Sequence, residues 1–122
     1  MNTTDILRLM SDDTRIRVLM LLKVKSLCVS QMQLILNVPQ SMLSKHLAKL
    51  REFELVKAIP DGKFMKYELI QDPLVLSMLD TIAQNADDNE FQADKLKIDN
   101  FDYILDACNE CELHQYRTRY IV

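Results

Sequence analysis

Cys108 and Cys111 stand at i and i+3, so on a helix they share one face, where two thiolates can grip one ion. Thiolates favour zinc, cadmium, copper(I) and trivalent arsenic or antimony over hard cations. His114, three residues further on, offers an imidazole as a fourth ligand or a zinc-favouring substitute. The competing reading of Cys108 is packing, since it extends a stripe of Phe101, Ile104 and Leu105 and cysteine is a small residue at home in a core. A single CxxC is also a weak metal motif, because structural zinc sites usually show two such pairs. A second chemistry lies between Gln40 and Lys49. Leu43, Leu47 and Leu50 recur at i, i+4 and i+7 as one apolar stripe, and Gln40, Ser41, Ser44, Lys45, Ala48 and Lys49 fall largely on the other side. Amide, hydroxyl and cationic groups on a short helix face, with no acid among them, suit the edges of bases in a DNA major groove. His46, next to Lys45, either joins that face or is an ordinary partly exposed helix histidine.

Those side chains need a helix to carry them and a second element to hold it. The stretch 30–38 is a short helix candidate, with Ser30 as cap and Gln33 completing a capping-box pattern. Pro39 cannot continue an incoming helix but suits the start of the next. Two short helices around a tight turn make a helix-turn-helix. Downstream, residues 55–70 alternate in both halves, with Val56 and Ala58 on one side of the first and Met65, Tyr67 and Leu69 on one side of the second. Between them, Pro60, Asp61 and Gly62 supply turn chemistry, and Gly62 is the only glycine in the chain. Lys57, Lys63 and Lys66 give the hairpin positive charge. The expected fold class is therefore mainly α: a winged helix-turn-helix with a two-stranded β wing.

The remaining pattern places a first helix capped by Thr3 or Thr4 and a second capped by Ser11, running from about residue 12 to 22 with Ile16, Leu19, Met20 and Lys23 on one side. After Pro73, residues 74–86 are amphipathic along Val75, Met78, Leu79 and Ile82. Residues 86–90 break that helix, and a last one is expected from Phe91 or Asp94 to near Tyr116. This divides the chain into a DNA-binding and dimerisation domain, 1–85, and an acidic C-terminal helical extension, 86–122, that carries the CxxC pair.

Charge follows the same division. Residues 1–70 hold eleven Lys+Arg against seven Asp+Glu, a net of +4, while residues 71–122 hold four against eleven, a net of −7. An acidic protein binds nucleic acid poorly by bulk charge, so any DNA affinity must reside in the first segment, with the acidic part a solubilising surface turned away. An odd number of cysteines argues against a disulfide scaffold and for reduced thiols in the cytoplasm. The N-terminal residues carry acids and no sustained apolar run, unlike a signal peptide, and no segment approaches the ~20 apolar residues of a membrane helix. A chain of 122 residues buries only a modest core, and a dimer interface would add to it.

Five blocks now resemble a known family. Residues 9–22 (LMSDDTRIRVLMLL), 27–32 (LCVSQM), 40–52 (QSMLSKHLAKLRE), 55–56 (LV) and 61–69 (DGKFMKYEL) look like the successive blocks of the ArsR/SmtB metalloregulatory repressors, over roughly the first two thirds of the chain. The resemblance implies a homodimer, joined through the first helix and the helix after the wing, that leaves its operator when it binds a toxic metal or metalloid. Three positions depart from the family. Asp13 stands where proline is frequent, Asn37, Val38 and Pro39 replace a Gly-Leu-Ser-like turn, and Cys28, Val29 and Ser30 stand where arsenic-sensing members typically show Cys-Val-Cys. Cys28 thus matches the first cysteine of that motif. Trivalent arsenic commonly takes three thiolates, and the resemblance makes Cys28, Cys108 and Cys111 the expected set, with As(III) or Sb(III) favoured as effector over zinc or cadmium and with no organic cofactor.

The DNA partner is expected to be a pseudo-palindromic double-stranded operator, because a lone module this small reads only a few base pairs and a symmetric dimer reads two half-sites. Gln40, Ser41, Ser44, Lys45 and His46 are placed at base edges, and Lys63 and Lys66 at flanking phosphates. Enzyme readings fare poorly: one glycine leaves no phosphate-cradling loop, and CxxC lacks the βαβ context of a thioredoxin-like site. Two alternatives keep the fold. A redox switch would oxidise Cys108 and Cys111 to a disulfide, although Asp106, Glu110 and Glu112 beside them disfavour reactive thiolates. A winged helix used only for protein partners would bind no DNA.

Overall fold

In the computed structural model, which describes residues 2–85 and 91–99, the chain runs α1 (Thr3–Leu9), α2 (Asp13–Val24), β1 (Leu27–Cys28), α3 (Val29–Leu36), α4 (Gln40–Glu52), β2 (Val56–Asp61), β3 (Phe64–Leu69) and α5 (Pro73–Asn85), followed by a helical stretch, α6, at 91–99. The expected break at 86–90 and the helix beyond 99, with Phe101, Ile104, Leu105, Cys108, Cys111 and His114, lie outside the described residues. α3 and α4 are the helix-turn-helix and β2–β3 the wing, so the fold is the winged helix-turn-helix that the sequence implies.

The caps sit one or two residues from their expected places. Asn2, not Thr3 or Thr4, caps α1: its Oδ1 accepts the Asp5 N–H at 2.9 Å and its own N–H donates to Asp5 Oδ2 at 3.3 Å, a reciprocal capping box. Asp12, not Ser11, caps α2, with Oδ1 accepting the Arg15 N–H at 3.1 Å. Ser11 instead donates its hydroxyl to Arg8 O at 2.6 Å, closing the end of α1. α3 starts at Val29, with Cys28 as the N-cap residue and Gln31 rather than Gln33 in the capping role: Cys28 N–H donates to Gln31 Oε1 at 3.0 Å.

The turn between α3 and α4 works differently from a proline stop. Asn37 takes φ 56°, ψ 50°, a left-handed conformation that asparagine tolerates, and its N–H returns to Gln33 O at 2.9 Å. Pro39 (φ −61°, ψ 143°) then starts α4, its carbonyl accepting the Leu43 N–H at 3.0 Å. α4 ends in a full Schellman motif in which Glu54 N–H reaches Arg51 O at 3.0 Å and Leu55 N–H reaches Leu50 O at 2.9 Å. Glu54 occupies the usual glycine position at φ 61°, and Leu50 and Leu55 make the accompanying buried contact.

One core unites these elements. Leu43, Leu47 and Leu50 of α4 are fully buried with Val18, Leu19, Leu21 and Leu22 of α2, Met32 and Ile35 of α3, and Val75 and Leu79 of α5. α2 is buried on more than the expected Ile16–Leu19–Met20–Lys23 side because α3, α4, α5 and β3 all pack on it; Ile16 and Met20 are only partly buried. The sheet has three strands, in the order β1-β3-β2, all antiparallel. β1 adds two residues to the expected pair, Leu27 opposite Tyr67 and Cys28 opposite Lys66. In the wing, Val56–Leu69, Ala58–Tyr67 and Pro60–Met65 face each other, the register that the alternation implies. Pro60 and Asp61 belong to β2, and the connection is Gly62-Lys63 alone. Pro60 is tolerated because β2 is an edge strand. Positive φ at Gly62 (64°) and not at Lys63 is the pattern of a type II′ hairpin turn.

Candidate nucleic-acid interface

α4 presents Gln40, Ser41, Met42, Ser44, Lys45, Ala48, Lys49 and Arg51 to solvent, while its leucines hold it down. No acid occurs on this helix before Glu52. Four of the five expected base-edge residues are therefore exposed together at the N-terminal end of one helix. Met42, 42% exposed, adds a feature that the hydrogen-bonding pattern did not bring out, and Thr14 Oγ1 approaches its Sδ at 3.8 Å from α2. An apolar group among polar ones suits the methyl of thymine. Lys49 lies 5.8 Å above the Phe53 ring, which steadies the ammonium over the far end of the helix.

His46 is placed differently from the rest. Its side chain is 18% exposed and turned toward α2, with Nε2 3.7 Å from Asp12 Oδ1 and Nδ1 3.5 Å from Arg15 Nη1. A guanidinium beside Nδ1 favours the tautomer with Nδ1 bare and Nε2–H toward Asp12. Arg15 also donates from Nε to Leu9 O at 2.8 Å and from Nη2 to Arg8 O at 3.4 Å, so one side chain ties the end of α1 to α4. His46 thus helps to seat the helix that carries the expected base-edge residues.

Asp12 lies at the centre of this junction. Burial alone would raise its carboxyl, but the Arg15 N–H, the facing His46 ring, the Arg15 charge and the Thr14 N–H outweigh burial and hold it below the usual 3.8. A lowered folded pKa gives stability that is complete above the unfolded value and is lost as the pH falls through the folded one. Asp12→Ala should therefore destabilise the protein by about 1 kcal/mol at neutral pH through loss of the cap. Thermal melts of variant and wild type should converge below about pH 4. A gap undiminished in acid would mean that the charge of Asp12 contributes nothing.

The wing is less basic than its lysines suggest. Lys57 stands opposite Glu68 across the strands, and Lys66 Nζ lies 3.9 Å from Asp61 Oδ2. Lys63, exposed in the turn itself, is the cation at the tip. Alternation in sequence shows which face a residue takes but not which acid the register sets opposite it.

Cys28 is buried at 1% exposure, at the joint between the sheet and the helix-turn-helix. Among the described residues no three His, Cys, Asp or Glu side chains converge as a metal cluster, and these residues supply one thiol. Cys108 and Cys111 lie outside them, so the three-cysteine set rests on sequence.

Known proteins share this geometry. The model of the arsR family of bacterial regulatory proteins matches residues 12–58, from the α2 cap through the helix-turn-helix into the wing. The transcriptional repressor PagR of Bacillus anthracis is 30% identical and superposes with a TM-score of 0.58 over 65% of this chain and 90% of its own. The chain belongs to the ArsR family. HlyU from Vibrio cholerae N16961 is 28% identical, with a TM-score of 0.64 over 68% of this chain and 89% of HlyU. The antimony-specific transcriptional repressor AntR is 26% identical, with a TM-score of 0.59 over 65% of this chain and 71% of AntR. No curated protein sequence matches significantly. As an ArsR-family member the chain is a DNA-binding transcriptional regulator, and α4 is the second helix of its helix-turn-helix. None of the described helices is long and apolar enough to cross a membrane.

Proposed function

We propose that this ArsR-family regulator is a homodimeric repressor that leaves its operator when a thiophilic metalloid, arsenite or antimonite, binds Cys28, Cys108 and Cys111. The observation that carries the DNA half is the acid-free face of α4, with Gln40, Ser41, Ser44 and Lys45 exposed side by side. Two such helices related by a dimer axis would enter successive major grooves of a pseudo-palindrome, with Lys63 and Lys66 of each wing at flanking phosphates. Exposed Leu7 on α1 (53%) and Leu74 on α5 (46%) support pairing through those helices. The domain 1–85 would then read DNA, and the extension 86–122 would carry two of the three sensing thiols.

The effector half rests on the position of Cys28 and on the likeness to an antimony-specific repressor. Cys28 pairs with Lys66 of β3 and opens α3, so a ligand drawn onto its sulfur would strain the sheet and the helix-turn-helix together. Release requires the ion to bind the DNA-free form more tightly, and a typical coupling weakens DNA binding about 5–150-fold. The test is a titration of reduced protein on its promoter DNA with arsenite, antimonite, cadmium, zinc and peroxide in parallel. Arsenite and antimonite should release the wild type but not the Cys108→Ser, Cys111→Ser double variant, which should still bind DNA. Unchanged release from that variant would sink the thiol site, and release by peroxide alone would replace metalloid sensing with a redox switch.

A further inference from the structure

We infer that α6 braces the helix-turn-helix, and that Asp94 and Lys97 are positioning residues for operator recognition. Asp94 is an acid in a strongly acidic part of the chain, yet its side chain is 4% exposed. A carboxylate is rarely buried unless it is paired. Arg17 of α2 meets it with both arms, Nε to Oδ2 and Nη2 to Oδ1, each at 2.9 Å. Such a forked pair fixes orientation as well as distance. The same Nη2 donates to Leu36 O at 3.2 Å, and Lys97 Nζ donates to Ile35 O at 3.0 Å.

Both carbonyls belong to the last turn of α3, where the helix leaves its C=O groups without partners of its own. Two cations there also oppose the negative end of the helix dipole. The next residue is Asn37, the left-handed pivot from which the chain enters Pro39 and α4. On α6, Asp94, Lys97 and Ile98 stand at i, i+3 and i+4, and Ile98 is buried in the common core at 3% exposure. One face of α6 therefore supplies an apolar anchor, a fixed carboxylate and a cation; Lys97 reaches the end of α3 directly, and Asp94 acts on it through Arg17. The exit direction of α3 sets where the recognition helix points. A segment outside the residues matched by the family model thus holds the geometry that the DNA-reading face depends on.

This inference rests on DNA binding by the family and not on the identity of the effector. It is tested on the full chain with Lys97→Met, which keeps the aliphatic stem and removes the ammonium, together with Asp94→Asn and Lys97→Arg. The probes are a duplex that the wild type selects from a random-sequence pool and a scrambled duplex of equal length. Lys97→Met and Asp94→Asn should weaken binding to the selected duplex by about 2–30-fold, the range for residues that modulate a site they do not touch. Binding to the scrambled duplex should hold, the salt slope should stay at its wild-type value because no phosphate contact is lost, and Lys97→Arg should restore affinity. Amide hydrogen exchange at Asn37 and Leu43 should quicken in Lys97→Met while Val18 and Leu19 keep their protection. A fall in melting temperature with the selected-to-scrambled ratio intact would make α6 merely structural. A flatter salt slope would make Lys97 a direct phosphate contact. Unchanged exchange at Asn37 and Leu43 would overturn the brace even if the wild type selected no duplex.

Discussion

Leu47→Ala is expected to lower the unfolding free energy by about 2–5 kcal/mol, the range for removing most of a leucine side chain from a packed core. Leu47 is 1% exposed, between Leu43 and Leu50 on the buried side of α4 and against the interior of α2. α2 packs against four other elements, so the surroundings have little freedom to collapse into the space left behind. The loss should appear as a lower denaturant midpoint with an unchanged slope, since the same surface is exposed on unfolding. In a domain whose total stability is of order 5–15 kcal/mol, that loss is large enough to deplete the folded population on warming. DNA binding measured on the folded fraction should change less, because Leu47 faces away from solvent. A cost below about 1 kcal/mol would mean that α4 is not seated by its leucine stripe.

That stripe was the most legible part of the sequence, for a physical reason. Three leucines at helical spacing have one low-energy arrangement once a core exists, and all three are buried on one side of α4. The wing register was equally legible, because a slip of one residue would turn Val56 and Leu69 out of the core. The caps were not. Ser11, Asp12 and Asp13 can all accept the hydrogen bond, and the choice depends on which backbone takes the extended conformation at the junction held by Arg15. β1 was missed because two residues cannot show alternation, and it exists only through its pairing with β3. In the site, exposure of Gln40, Ser41, Ser44 and Lys45 followed from the helical wheel. The inward turn of His46 did not, since it is set by partners 31 and 34 residues away in sequence. Asp94 looked like one more solubilising acid for the same reason: its partner, Arg17, is brought to it only by the tertiary fold. Sequence periodicity shows which side of an element is apolar, whereas long-range ion pairs depend on packing between elements.

Gly62→Val should remove most specific DNA binding while leaving the helices in place. Gly62 is the first residue of a two-residue turn and takes φ 64°. Any side chain with a Cβ resists that region, and a β-branched one resists it most, at a cost of about 1–3 kcal/mol. The strain falls on the tip of a hairpin whose outer half is poorly anchored: Ile59 and Met65 are exposed, and packing against the core begins at Tyr67, Val56 and Leu69. The least costly response is for the tip to splay and the pairs Asp61–Phe64 and Pro60–Met65 to open, rather than for the core to yield. Lys63 would then lose its fixed position at the wing tip. Each phosphate contact removed should flatten the dependence of log affinity on log salt by about 0.9. Circular dichroism should report nearly wild-type helicity, binding to an operator duplex should weaken, and the salt slope should fall by about one contact per wing. Gly62→Asn, which tolerates a left-handed backbone, should retain much of the affinity. Loss of helicity in step with DNA binding would show that the turn supports the core instead, and wild-type binding by Gly62→Val would show that the wing plays no part in holding DNA.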